Sequence, residues 1–463
     1  MTSLVPLYIL IGYSFAVMVL NMKGVVSFGL FSGTFALTQD KLNQIPQQAL
    51  LQDACPSDSI LRDGECHLAV TAPSEVTFKS NITTSLDEAR LAASQHPDFP
   101  WTFWPECFSN EKTAEPYCVF SDQNFANGRG IFIVTTETLA YKMLQKPAFT
   151  NPQSLARSNH HSNPPFIQYE SPTKGRGLIA NKTLFRGDQI FASTPLLLAD
   201  PEAYKLIESE RIDLLYRGVE TLPKASQDLF WGLLGHFKGD PVDDRINTNN
   251  FEVFIDDQSQ AAVLPEIAML NHDCRANAAY FFDQDTLTHH VHAMRTIQPG
   301  EEITISYIDS EKTRAHRMRR LEHNWGFKCD CSACTAHPAL TAESDARLLQ
   351  IEELIEKLND WTDASTATPE MAEAVVSMYD QERLWAYQAT AYKHAAEVYS
   401  SFGNKFMAIK YARLSVEFSI LDKGFSDSDV KEMKKMAKDP AMTWSWKKRV
   451  DLKKGGCGCG KAH

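Results

Sequence analysis

The sequence has 463 residues, enough for about three domains of ordinary size. Hydrophobic residues make up 43% and charged residues 22%, which excludes a disordered chain and a protein with many membrane spans. The net charge of -12 argues against nucleic acid as a direct partner.

The N-terminal segment is apolar. Residues 4–20 are uncharged and barely long enough to span a bilayer, and Lys23 separates them from a second apolar stretch at residues 25–36. The pattern predicts a signal peptide or a membrane anchor over residues 1–36, with a signal that begins at Met22 or a buried helix as alternatives. We expect entry into the secretory pathway or secretion. With an uncleaved anchor, Lys23 favours a cytosolic location for the rest of the chain.

Residues 40–156 contain four cysteines, Cys55, Cys66, Cys107 and Cys118. An even number of cysteines behind a signal-like segment predicts two disulfides. The spacing favours Cys55 with Cys66 and Cys107 with Cys118, and the other two pairings remain open.

Composition changes divide the rest of the chain. A polar, proline-containing stretch predicts a linker at residues 157–165, and the strand-rich part that follows runs to about residue 336. Beyond it, apolar residues at helical spacing predict an all-helical region over residues 341–450, with one face formed by Leu348, Ile351, Leu354, Ile355 and Leu358. Residues 385–418 suggest two antiparallel helices joined near Gly403, the arrangement of a tetratricopeptide repeat. Residues 451–463 predict a flexible tail.

Four motifs in the strand-rich part carry the chemistry. They are Lys-Gly-Arg-Gly at residues 174–177, Asn-His-Asp-Cys at 271–274 followed by Asn277, Gly-Glu-Glu-Ile-Thr-Ile-Ser-Tyr at 300–307, and a C-x-C-x-x-C cluster at 329–334. Glycines let a backbone approach a ligand closely. Three clustered thiolates predict a zinc site that needs a fourth ligand, and Cys274 is the cysteine within this region that can join Cys329, Cys331 and Cys334.

In this order the motifs resemble those of the SET-domain methyltransferases, in particular the SET and MYND branch, although no MYND zinc finger is visible. Together with the N-terminal cysteine region, the chain resembles fungal SET proteins with an exported N-terminal region. The resemblance implies an α+β fold: a β-rich SET domain over residues 166–313, a post-SET helix and zinc cluster over 314–336, and a helical, tetratricopeptide-like domain after it.

The resemblance also assigns roles to single residues. S-adenosylmethionine would bind at the counterparts Gly175, Arg176, Gly177, Asn249, Asn271, His272, Tyr307 and Phe327. Tyr307 matches the tyrosine that lies at the methyl-transfer site, and the zinc would be structural. The expected function is therefore S-adenosylmethionine-dependent methylation of a lysine in a protein or peptide. A SET-derived binding module without turnover, and a methyltransferase acting on a small molecule or peptide, are the alternatives.

Two further features have plainer interpretations. His289, His290 and His292 share a predicted strand, and a surface strand is favoured over a metal site. The helix that carries Arg314, Arg317, Arg319 and Arg320 is expected to turn its arginines to solvent.

Overall fold

The structure is a computed structural model that describes residues 80–159, 163–171 and 174–455, with the backbone of two short hairpins nearer the N-terminus. Its strands are β1 (Tyr8–Ile11), β2 (Ser14–Val17), β3 (Ser59–Arg62), β4 (Glu65–Leu68), β5 (Glu106–Phe108), β6 (Tyr117–Asp122), β7 (Ile131–Thr136), β8 (Phe166–Ser171), β9 (Gly175–Ala180), β10 (Gln189–Ser193), β11 (Leu197–Ala199), β12 (Asn250–Ile255), β13 (Gln258–Val263), β14 (Asn271–His272), β15 (Ala278–Asp283), β16 (Thr288–Ala293) and β17 (Thr304–Ile305).

The helices are α1 (Leu86–Ser94), α2 (Phe125–Gly128), α3 (Glu137–Met143), α4 (Pro147–Thr150), α5 (Glu208–Thr221), α6 (Lys224–Trp231), α7 (Pro241–Asn249), α8 (Arg314–Trp325), α9 (Pro338–Leu358), α10 (Pro369–Gln381), α11 (Gln388–Ser401), α12 (Lys405–Asp422), α13 (Ser428–Lys438) and α14 (Lys448–Gly455). Within the described ranges, no helix has the length and apolar character needed to cross a membrane. The predicted signal or anchor at residues 1–36 and the predicted Cys55–Cys66 disulfide lie outside the residues whose side chains are described.

A six-stranded mixed sheet, in the order β12-β13-β11-β7-β6-β5, forms the centre of the strand-rich part. Strand β7 is covered on both faces: Ile131 and Ile133 pack in one core and Phe132 and Val134 in another. Burial on both faces explains why its sequence is continuously apolar and does not alternate. On one side α5 approaches so closely that a Cβ at Gly218 would lie 2.2 Å from the Phe132 ring.

The N-terminal cysteine region shares this sheet. Strand β7 precedes the linker predicted at residues 157–165, and β11 follows it. The two strands pair in parallel, so the regions on either side of the predicted linker belong to one sheet. Arg129 of the first region also forms a two-bond ion pair with Glu266 of the second, with both N–O distances at 2.8 Å.

Cys107 and Cys118 lie directly opposite each other on β5 and β6 and form a disulfide, as the spacing predicts. The bond joins the edge strand of the six-stranded sheet to its neighbour.

Smaller β elements surround the motifs. Strands β8 and β9 form an antiparallel hairpin, β10, β16 and β15 form a three-stranded antiparallel sheet, and β14 pairs in parallel with β17. Because β14 carries Asn271 and His272 while β17 ends two residues before Tyr307, this short pair brings the second and third motifs together.

The C-terminal region is all-helical, as predicted. Leu348, Ile351, Leu354 and Leu358 of α9 are buried, and Ile355 packs against the same core. Helices α11 and α12 are joined at Gly403, whose φ of +76° suits a glycine after a helix end. The tetratricopeptide likeness stays a prediction. Helix α14 extends to Gly455, so the tail predicted for residues 451–463 begins inside a helix, and its remainder lies outside the described residues.

Candidate active site

The glycine motif begins β9 and lies against Asn271. Gly175 has a φ of +68°, a conformation that favours glycine. At Gly177 a Cβ would lie 2.6 Å from Asn271 Nδ2 and 2.7 Å from the Tyr169 ring. Only glycine fits between these two side chains, so the first and second motifs are in direct contact.

Asn271 is buried and connects three motifs. Its Nδ2 donates to the Arg176 carbonyl at 3.3 Å and to Glu302 Oε1 at 2.9 Å. The other carboxylate oxygen of Glu302 accepts from Lys174 Nζ at 3.1 Å. Lys174 and Glu302 are therefore positioning residues that sequence reasoning missed, although both lie within the motifs it singled out.

Asn277 stabilises the strand that leads to Tyr307. Its Nδ2 donates to the Glu302 carbonyl at 2.8 Å, and its Oδ1 accepts from the Thr304 N–H at 2.9 Å. Both bonds are to backbone groups, so Asn277 is a structural residue of this turn.

His272 is buried between Tyr307 and the cysteine cluster. Its Nδ1 accepts from the Tyr307 N–H at 2.9 Å, and its Nε2 lies 3.3 Å from Cys274 Sγ. Burial lowers the pKa of His272 to about 3, so the ring is neutral at physiological pH. A neutral ring that accepts at Nδ1 carries its proton on Nε2 and can donate it to the Cys274 sulfur.

Tyr307 lies at the centre of the site and is 2% exposed. Its hydroxyl donates to the Leu270 carbonyl at 2.7 Å. Three rings surround it, with centroid distances of 5.2 Å to His272, 5.8 Å to Trp325 and 6.4 Å to Phe327. Burial raises the pKa of Tyr307 well above its ordinary value, so the phenol stays neutral.

The four predicted zinc ligands are buried together. The sulfur atoms of Cys274, Cys329, Cys331 and Cys334 all lie within 4.8 Å of one another, and the Cys274 and Cys334 sulfurs are 3.6 Å apart. Tetrahedral zinc with sulfurs at about 2.3 Å separates them by about 3.8 Å, so the donor set fits this metal. Helix α8 leads to the cluster, and Gly326, directly after the helix, has a left-handed conformation that turns the chain towards Phe327.

Two residues assigned to the cofactor by the resemblance bind elsewhere. The amide of Asn249 donates to the carbonyls of Leu234 at 2.7 Å and Arg245 at 2.8 Å. The guanidinium of Arg176 donates to the Gly232 carbonyl at 2.8 Å. Both side chains therefore hold residues 232–234, whereas the backbone of Arg176 stays at the site, where its carbonyl accepts from Asn271. Gly175, Gly177, Asn271, His272, Tyr307 and Phe327 belong to the same site.

Comparison with protein families agrees with this geometry. Residues 175–308 match the family model described as SET domain, and this range contains the glycine turn, the Asn-His pair and Tyr307. This protein contains a SET domain. The cysteine cluster at residues 329–334 follows the matched range directly.

The SET domain is similar to curated lysine methyltransferases. Histone-lysine N-methyltransferase set5 of Schizosaccharomyces pombe is 31% identical over 173 residues, which cover 35% of this chain and 48% of that protein. N-lysine methyltransferase SMYD2 of Gallus gallus is 34% identical over 141 residues, covering 30% and 28%. Histone-lysine N-methyltransferase SMYD3 of Homo sapiens is 27% identical over 173 residues, covering 32% and 39%. The chain thus spans about half or less of the length of these relatives.

The helical region contacts the segment that follows Tyr307. The Tyr387 hydroxyl donates to the Ile308 carbonyl at 3.2 Å and accepts from the Ser310 N–H at 3.3 Å. Tyr379 hydrogen-bonds Glu311. The helices therefore stabilise the chain directly after the central tyrosine of the SET domain, a contact between regions that no local sequence pattern predicts.

One of the two solvent-facing predictions is wrong. His290 and His292 share a face of β16 as predicted, are partly exposed, and stack on Phe281. The arginines of α8 are not all solvated: Arg317 is 1% exposed and donates to the Lys312 carbonyl, and Arg314 Nε donates to the Cys334 carbonyl at 2.5 Å. In α8 another part of the fold covers a face that was predicted to be solvated.

Proposed function

We propose that this protein is an S-adenosylmethionine-dependent methyltransferase that acts on a lysine side chain of a protein. The observation that carries the proposal is the convergence of the glycine turn, the Asn-His pair and Tyr307 at one buried site of a SET domain. The relatives named above are lysine methyltransferases, which supports the same chemistry.

The cofactor side would be formed by Gly175, Gly177, Asn271, His272 and Phe327. The absence of a side chain at Gly177 lets the β9 backbone lie directly against the Asn271 amide. The rings of His272, Tyr307 and Phe327 provide aromatic faces, which suit both a flat base and a sulfonium cation. When bound, S-adenosylmethionine supplies a methyl group on a positively charged sulfur, and its transfer to an amine depends mainly on alignment.

Tyr307 would orient the substrate amine. A hydroxyl has one proton and two lone pairs. Because Tyr307 donates its proton to the Leu270 carbonyl, its oxygen can accept an N–H from the amine and aim the nitrogen lone pair. Its raised pKa makes it a poor general base, so its contribution is positional.

The zinc ion would be structural. Four thiolates leave no open coordination position for catalysis. Cys274 lies two residues after His272, and Cys329 lies two residues after Phe327, so one ion would connect both walls of the site.

The test is cofactor binding and turnover with zinc-loaded protein. Calorimetry measures S-adenosylmethionine affinity, and transfer of a labelled methyl group to a lysine peptide library measures turnover. Tyr307→Phe should lower turnover by about 10- to 1000-fold with little change in cofactor affinity. Asn271→Ala should weaken cofactor binding first, because it removes a buried amide.

Tyr141→Phe is the matched control, since Tyr141 is 40% exposed and far from the motifs in sequence. It should leave both readouts unchanged. If wild-type protein neither binds S-adenosylmethionine nor labels any lysine, the enzyme proposal fails and a SET-derived binding module takes its place.

We also propose that the chain enters the secretory pathway. The Cys107–Cys118 disulfide supports this location, because disulfides persist in oxidising compartments. Non-reducing mass mapping of protein from its native cell provides the test. Finding Cys107 and Cys118 as free thiols would contradict the proposal.

A further inference from the structure

A cavity of about 1080 Å³ lies beside the site. It is bounded by the end of β11 and residues 201–204, by the β12–β13 hairpin and by α8. Trp325 lines the cavity, and its ring is 5.8 Å from that of Tyr307. None of the residues assigned to the cofactor lines it, so the cavity reaches the Tyr307–Trp325 pair separately from the cofactor residues.

The carboxylates of the cavity wall already have partners within the protein. Asp200 accepts from the Glu202 N–H at 2.9 Å, and Glu202 pairs with Lys205. Glu252 accepts from Ser259 Oγ at 2.7 Å. The cation Arg211, which also lines the cavity, is paired with Asp243.

Arg320 differs from these groups. Its Nε is buried with no acceptor, and among the described residues no carboxylate pairs with its guanidinium. Burial lowers the pKa of Arg320, and no neighbouring anion opposes the effect. A partly buried guanidinium without an anion is unfavourable, and a bound carboxylate would remove that cost through charge-assisted hydrogen bonds.

We propose that Arg320 binds a carboxylate of the substrate polypeptide in this cavity, so that the protein selects lysines with an acidic residue nearby. The proposal rests on the lysine methyltransferase function proposed above and names the class of its substrate. The occupant is a polypeptide segment because the volume of the cavity equals that of sites for whole organic ligands, far more than an isolated anion fills. The exposed rings of Tyr204 and Phe237 in its wall add contact area for such a segment.

The spacing along α8 gives the position of the acidic residue. Arg320 lies five residues before Trp325, a rise of about 7.5 Å along a helix. An extended peptide covers about 3.3 Å per residue. The carboxylate should therefore lie about two or three residues from the acceptor lysine.

Peptide binding and turnover test the proposal. The probe is a library of fluorescent 12-residue peptides with a central lysine, in which each position from three before to three after it holds Glu, Gln or Lys in turn. Wild-type protein should bind the best Glu peptide about 10- to 100-fold more tightly than its Gln counterpart. Arg320→Gln should abolish this preference and raise KM for the Glu peptide.

Arg319→Gln is the control, because Arg319 is the exposed neighbour on the same helix and does not line the cavity. It removes the same charge and should keep the preference. Arg320→Glu should reverse the preference towards the Lys peptide, a result that general damage to the fold does not produce.

The outcomes separate this inference from the proposed function. If lysines are methylated but Glu, Gln and Lys peptides bind and react alike, the carboxylate site is wrong and the enzyme stands. If no lysine is methylated but Glu peptides bind in an Arg320-dependent manner, the site stands as part of a binding module. Absence of peptide binding by any variant overturns the inference.

Discussion

The buried ion pair between Arg275 and Glu382 provides a test of how the helical region supports the SET domain. Glu382 follows α10, is 4% exposed, and accepts from Arg275 Nη2 at 2.6 Å, Ser344 Oγ at 2.6 Å and Arg347 Nε at 2.7 Å. Arg275 follows Cys274 of the four-cysteine cluster and also donates to the Cys274 carbonyl at 2.9 Å. The pair therefore connects the helical region to this cluster.

Glu382→Gln should lower the free energy of unfolding by about 3–5 kcal/mol, because it leaves the Arg275 charge buried and unpaired. Urea denaturation of zinc-loaded protein measures this change. Zinc release to a chelator should also become faster, because Arg275 no longer holds the Cys274 backbone firmly. Glu353→Gln is the control, since Glu353 forms an exposed ion pair with Lys357, and its loss should change little.

The contribution of Glu382 to the free energy of unfolding should depend on pH. Burial acts to raise the pKa of Glu382, but hydrogen bonds from Ser344, Arg275 and Arg347 outweigh it and hold the pKa below its ordinary value. A carboxylate with a lowered folded-state pKa stabilises the protein above its unfolded pKa of about 4.3, and this stabilisation is lost as pH falls through the folded value. The difference between wild type and Glu382→Gln should therefore be full at pH 7 and shrink below about pH 4.

A paired replacement refines the test. Arg275→Met with Glu382→Leu removes both charges and should recover most of the stability lost by Glu382→Gln, because well-packed apolar side chains can replace a buried ion pair. A Glu382→Gln protein whose unfolding free energy lies within about 1 kcal/mol of wild type, with unchanged zinc release, would refute the reasoning.

Three further changes test other contacts. Cys274→Ser should reduce zinc from about one ion per chain to near zero, measured by elemental analysis, whereas Cys107→Ser should retain it; equal zinc in both would disprove the ligand assignment. Gly177→Ala should weaken S-adenosylmethionine binding by at least about 10-fold in calorimetry, because the methyl group would lie 2.6 Å from Asn271 Nδ2, and unchanged affinity would argue against this cofactor position. Replacing both Cys107 and Cys118 by Ser should cost about 2–4 kcal/mol in thermal or urea unfolding, and a reduced wild type that unfolds like an oxidised one would contradict the bond.

Features that depend on local spacing could be predicted from the amino-acid sequence. The order of the four motifs predicted one site, and the C-x-C-x-x-C cluster with Cys274 predicted four ligands whose sulfurs lie within 4.8 Å of one another. The apolar face of α9 followed from helical periodicity, and the Cys107–Cys118 pair followed from spacing. Each of these follows from the short-range geometry of strands, helices and turns.

Tertiary structure alone decided which distant groups meet. Strand β7 pairs with β11 across the predicted linker, and Arg275 meets Glu382 at a separation of 107 residues. The same long-range packing half-buries His290 and His292, directs Asn249 to backbone carbonyls, and, among the described residues, pairs Arg320 with no carboxylate. The physical reason is that burial and charge pairing depend on which surfaces come together, and the periodicity of a single element shows only that one of its faces will be covered.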